Sequence, residues 1–117
     1  MMVVDALVVG VAGDARQPTE VVLARRDDCG ELRQIGLSLP LASALRTEVG
    51  ARVRLTGEPA VQVSTGVFGR GHTDYLPVQP DLVVEVEAES SVESFTNRLR
   101  PRVYRVRPDL RPDDAAL

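Results

Sequence analysis

Lysine is missing altogether: all 14 basic residues are arginine. Chemistry that needs a side-chain amine is therefore excluded within the chain, which removes Schiff-base catalysis, covalent nucleotidyl-lysine formation and the P-loop lysine. Histidine occurs once, at His72, so a histidine-built metal centre is excluded. A single cysteine, Cys29, rules out an internal disulfide framework and any multi-cysteine metal site. Tryptophan is absent and aromatics make up 3% of the 117 residues, which leaves little for base stacking. No apolar run approaches the length of a membrane span, and no secretory signal pattern is present, so a cytoplasmic location with no membrane partner is expected.

Valine is abundant. Nineteen of the residues are Val, whose branched Cβ packs well on a pleated surface, so the core is expected to be aliphatic and β-rich. A first strand is predicted over residues 3–11, nearly all apolar. A hairpin follows: strands over 20–26 and 31–37 flank Asp27-Asp28-Cys29-Gly30, where Gly30 supplies the positive φ of a tight turn. Ser38 and Pro40 read as the start of a helix, Leu41, Leu45 and Val49 as one face of it, and Gly50 as its stop. Residues 51–56 read as strand with Arg52 and Arg54 on one face, extended by 61–65. Residues 66–80 read as a loop containing His72, 82–88 as an alternating strand and 99–107 as the last strand, with Tyr104 and Val106 facing the core. This order gives an all-β, mostly antiparallel fold with one short helix. Three strands, a helix and two late strands match an OB-fold, a five-stranded Greek-key barrel, over 1–107 with a tail at 108–117, though this order alone does not choose it over another small barrel.

Charge is uneven. The net charge is −3, yet residues 98–111 hold six Arg and one Asp while residues 1–97 hold eight Arg against fourteen acids. Arg98, Arg100, Arg102, Arg105 and Arg107 line the terminal segment. Guanidiniums bind phosphate oxygens bidentately and stay charged at any working pH, so the row reads as a phosphate-tracking surface or as a soluble strand edge. Arg25, Arg26 and Arg33 on the hairpin read as further phosphate contacts or as surface charges paired with Asp27 and Asp28, and Arg52 and Arg54 as further phosphate contacts or surface charges. Gly66-Val67-Phe68-Gly69-Arg70-Gly71-His72 is glycine-rich, but its spacing matches no phosphate-binding fingerprint. Glu85, Glu87 and Glu89 read as the solvated face of a strand rather than as a metal-binding face, and argue that this face meets no phosphate.

Several segments resemble one family. Val78-Gln79-Pro80-Asp81-Leu82-Val83-Val84-Glu85-Val86 is similar to a V-x-P-x-L-V-x-E-V strand. Pro101-Arg102-Val103-Tyr104-Arg105-Val106-Arg107-Pro108-Asp109 is similar to a terminal P-R-F-x-R-x-R-P-D-K. Ala6-Leu7-Val8-Val9-Gly10 resembles a first strand. Leu23-Ala24-Arg25-Arg26-Asp27, Gly30, Leu32-Arg33 and Ile35-Gly36 resemble an L-x-G-R-x-D-x-x-G-x-L-x-x-V-G hairpin. Together, over residues 5–112, they resemble the C-terminal OB-fold domain of bacterial ATP-dependent DNA ligases. The resemblance implies a module that clamps nicked double-stranded DNA in replication or repair and works with a nucleotidyltransferase domain in cis or in trans. It implies ATP and Mg²⁺ only for a complete ligase, where Arg107 and Asp109 would face the nucleotide phosphates. Two departures stand out: Leu110 takes the place of the family's terminal lysine, and the catalytic domain with its nucleotide-binding lysine is absent. No independent activity is expected. The alternatives are a stand-alone module that recruits a DNA repair partner, or the accessory chain of a split ligase.

Overall fold

The computed structural model describes residues 2–64, 72–88 and 100–112. Among them the chain forms β1 (Met2–Asp14), β2 (Gln17–Arg26), β3 (Leu32–Leu37), α1 (Ser43–Arg52), β4 (Val61–Ser64), β5 (His72–Ala88) and β6 (Arg102–Val106). All strand pairs are antiparallel. The sheet runs β3-β2-β1-β5-β4 as an open path, and β6 pairs with the far half of β5.

Alternation along the strands sorts the apolar residues to two faces. Ala6 and Val8 of β1, Val21 and Leu23 of β2, and Leu82, Val84 and Val86 of β5 meet Val49 of α1 in the main core. Leu7 and Val83 point the other way. The register shift after Val8 changes the phase of β1, so Val11 rejoins the main core. At Gly10 the backbone lies under the ring of Tyr75: a Cβ there would stand 2.2 Å from the ring, so a side chain would evict the tyrosine.

Several boundaries differ from the sequence reading. The helix begins at Ser43, with Ala42 as its N-cap and no side-chain cap. Ser38 is instead buried, its Oγ accepting from the Val21 N–H at 3.0 Å and donating to Leu39 O at 2.9 Å. That hydroxyl serves the β2 backbone, which is why it does not cap the helix. Gly50 does not end α1; it is where the helix crosses the β1–β2 turn, and a Cβ there would lie 1.8 Å from Arg16 O. Residues 53–56 form no strand: Leu55 makes an isolated bridge to Val78, and Gln79 N–H donates to Arg54 O at 2.8 Å.

The stretch 72–80, read as loop, is the first half of β5, and His72 opposes Ser64 in its ladder with β4. Its prolines misled because strands rarely carry them. Val8 faces Leu82 and Gly10 faces Pro77, so β1 advances two residues while β5 advances five. Pro80 sits within that excursion, where no ladder N–H is needed. In β6, Val84 pairs with Val106 and Val86 with Val103, leaving Tyr104 as the extra residue of a bulge. Val103 and Val106 are buried, and Tyr104, read as core, is 43% exposed.

Candidate nucleic-acid interface

The register of three strands builds one charged face. Asp5 of β1 opposes Glu85 of β5, which opposes Arg105 of β6; two residues along, Val3 opposes Glu87, which opposes Arg102. The β6 bulge places Arg102 and Arg105 on the same side despite their odd spacing. Glu85 and Glu87 therefore share the face of the arginines, which corrects their reading as a separate solvated face.

Each predicted cation among the described residues has a definite place. Arg105 Nε and Nη2 donate to the Glu85 carboxylate at 3.2 and 3.3 Å. Arg107 donates to both oxygens of Asp109, at 3.1 and 2.9 Å, and its Nη1 lies 3.6 Å from Glu85 and 3.7 Å from Asp5. The Arg107 hydrogen bond draws the Asp109 carboxyl down to about 2, and Asp109 in turn raises the Arg107 pKa. Arg25 is half-buried and its Nε donates to Asp5 O at 3.0 Å; burial lowers its pKa while the Asp5 charge opposes that shift. Tyr104 OH donates to the Glu87 carboxylate, which raises the phenol pKa. Arg102 is exposed at the start of β6.

Arg100 belongs to the scaffold: it pairs with Glu20 and donates to Leu37 O and Ser38 O, fastening the end of β3 to the entry of β6. Arg26 Nη1 donates to Gly30 O at 2.9 Å across the hairpin turn. Arg33 holds Asp27 at 2.7 Å, and this hydrogen bond, foremost among several, lowers the Asp27 pKa. Arg52 pairs with Glu48 one helical turn away and Arg54 with Asp81, so the two do not share a strand face. Arg98, Arg70, Glu89, Phe68 and Phe95 lie outside the described residues.

Around β6, then, Arg25, Arg102, Arg105 and Arg107 stand among Asp5, Glu85, Glu87 and Asp109, four cations with four carboxylates. Part of the local excess of positive charge in the sequence is matched by Asp5, Glu85 and Glu87, which β1 and β5 bring alongside. Sequence reasoning missed Asp5 and Glu85 as partners because only the strand register brings them there. It also missed what Leu110 does. Leu110 packs against Leu7 and Val83, and its N–H donates to Arg107 O, so the turn carrying Arg107 and Asp109 is pinned to the sheet. Its signal was an isolated leucine among prolines, acids and arginines. A groove of about 260 Å³ beside this turn is lined by Arg52, Asp81, Leu82, Arg107 and Leu110 among others. No group of three or more His, Cys, Asp or Glu side chains arranged for a metal is present among the described residues, and no helix there is long and apolar enough to cross a membrane. The chain matches no protein-family model and no curated protein sequence.

Proposed function

We propose that the chain is an OB-fold DNA-binding module like the C-terminal domain of bacterial ATP-dependent DNA ligases. It holds nicked duplex DNA by arginine-to-phosphate contacts. It assists adenylation and nick sealing only with a nucleotidyltransferase domain, in cis or in trans, because it has no lysine to carry AMP. The observation that carries this reading is connectivity: β1 pairs with both β2 and β5, α1 lies between β3 and the returning strands, and β6 pairs with β5. The Leu39 N–H donates to Pro101 O at 2.8 Å, tying the end of the β3 segment to the entry of β6. This one hydrogen bond at the open edge supports a reading as a Greek-key barrel, with β4 as an added ribbon.

Arg102, Arg105 and Arg107 supply the phosphate contacts from β6 and the turn that follows it. Tyr75 is used on Gly10 and Tyr104 on Glu87, so backbone-directed duplex binding is favoured over base stacking. ATP and Mg²⁺ belong to the complete enzyme; Arg107 and Asp109, already ion-paired to each other, are this chain's residues for the nucleotide phosphates. Anisotropy of a labelled nicked duplex at low salt tests the reading, with single-stranded DNA as comparison. Tighter duplex binding that salt abolishes is expected. No duplex binding, with or without a nucleotidyltransferase domain, would overturn it. A second reading, a protein-interaction module that recruits a repair partner, is favoured by the charge balance around β6. It predicts that Arg102→Ala/Arg105→Ala leaves DNA affinity unchanged.

A further inference from the structure

We propose that Arg105 and Arg107 form a two-guanidinium phosphate site which the chain's own Glu85 carboxylate occupies, so that Glu85 sets the threshold for phosphate binding. This rests on the reading of β6 as a DNA-facing strand. Glu85 Oε2 lies 3.2 Å from Arg105 Nε, and Oε1 lies 3.3 Å from Arg105 Nη2 and 3.6 Å from Arg107 Nη1. One carboxylate thus bridges two guanidiniums, with both its oxygens on the Arg105 fork. A phosphate diester offers the same pair of anionic oxygens to such a fork.

The other acids play different parts. Asp109 closes the remaining edge of Arg107, and Asp5 reaches only its Nη1, at 3.7 Å. Among these acids, Glu85 is the one in ion-pair contact with both arginines. Its position is fixed from below, since it lies in the middle of β5 between β1 and β6 with its side chain 22% exposed. Arg105 is 61% exposed and free to swing from the carboxylate to an incoming phosphate. A phosphate must therefore displace Glu85. Two solvent-accessible ion pairs are lost in that exchange, and Glu85 weakens phosphate binding by about three- to tenfold.

The test measures nicked-duplex affinity for the wild type, Glu85→Gln, Glu85→Gln/Arg105→Ala and the control Glu58→Gln, an exposed acid far along the sequence, with thermal melting to establish that each is folded. Glu85→Gln is expected to bind about three- to tenfold more tightly, Glu58→Gln close to wild type, and the double variant to lose the gain. A wild type that binds with a folded Glu85→Gln of equal affinity would overturn this inference and leave the DNA reading standing. An equal gain in Glu58→Gln, or one that survives Arg105→Ala, would reduce the effect to net charge and also overturn it. Absence of binding in every variant would overturn both. Should Glu85→Gln not fold, NMR on the wild type decides: the Arg105 Nε–H and Glu85 carboxyl signals must move together as nicked duplex is added, and a Glu85 signal that stays still refutes the displacement.

Discussion

Replacing Gly50 by alanine should destabilise the protein, against the usual rule for helices. In a helix interior alanine is favoured over glycine by about 0.8–1.0 kcal/mol, so the exchange normally stabilises. At Gly50 the added Cβ would stand 1.8 Å from Arg16 O and 2.3 Å from the same carbonyl's carbon. The obstacle is backbone, in a turn held by Arg16 N–H on Asp14 Oδ1 at 2.9 Å and by Arg46 donating to Gln17 O at 3.1 Å. Relief requires α1 and the β1–β2 turn to move apart by more than an ångström, which also loosens Val49 in the main core. Overpacking of this kind costs about 1–3 kcal/mol. Because the contact is with backbone, the upper end applies, and about 2 kcal/mol of net loss remains after the propensity gain. At about 4 °C per kcal/mol the melting temperature falls by about 8 °C. Circular dichroism melts of Gly50→Ala beside Thr47→Ala, on the exposed side of α1, provide the assay. Thr47→Ala should melt at or slightly above wild type. A Gly50→Ala protein melting at or above wild type would refute the close approach of helix and turn.

Two further outcomes follow from the core and the terminal turn. Leu23 is fully buried between β1, β3 and the main core, so Leu23→Ala should cost about 2–5 kcal/mol in urea unfolding. Asp109 has its carboxyl drawn down to about 2 by Arg107, from an ordinary value of 3.8. A depressed carboxylate stabilises the fold fully above its unfolded value and loses that contribution as pH falls through the folded one, here between about 4 and 2. An NMR titration should show the Asp109 carboxyl protonating near 2 in wild type and back toward 3.8 in Arg107→Ala; an unchanged titration in the variant would remove Arg107 as the cause.

Much of the strand layout was legible because local signals agreed with one another. The apolar run of β1, the Asp27–Gly30 turn, with Asp27 Oδ1 accepting from the Cys29 and Glu31 N–H groups, and the alternation through Leu82, Val84 and Val86 all carry their own explanation. The errors fall where a long-range contact overrides a local preference. Ser38 is a good N-cap that the β2 backbone claims first. Gly50 is a good helix stop that instead provides clearance for the Arg16 carbonyl. Tyr104 alternates inward by count, but a bulge turns it out. The candidate interface was half legible: the arginines and the neighbouring Arg107–Asp109 pair are visible in the sequence, but other carboxylate partners come from strands roughly twenty and one hundred residues away, as in Arg105 with Glu85 and Arg107 with Asp5. Only the register of β1, β5 and β6 reveals that the basic segment meets an acidic one.

Whether β6 meets phosphate is decided by the salt dependence of nicked-duplex binding. Each phosphate contacted contributes about −0.9 to the log–log slope of affinity against salt. Wild type should show a clear negative slope, and Arg102→Ala/Arg105→Ala should flatten it by about 1.8 with its melting temperature nearly unchanged. A folded double variant with the wild-type slope would contradict phosphate contact by β6 and move the DNA contacts, if any, away from it.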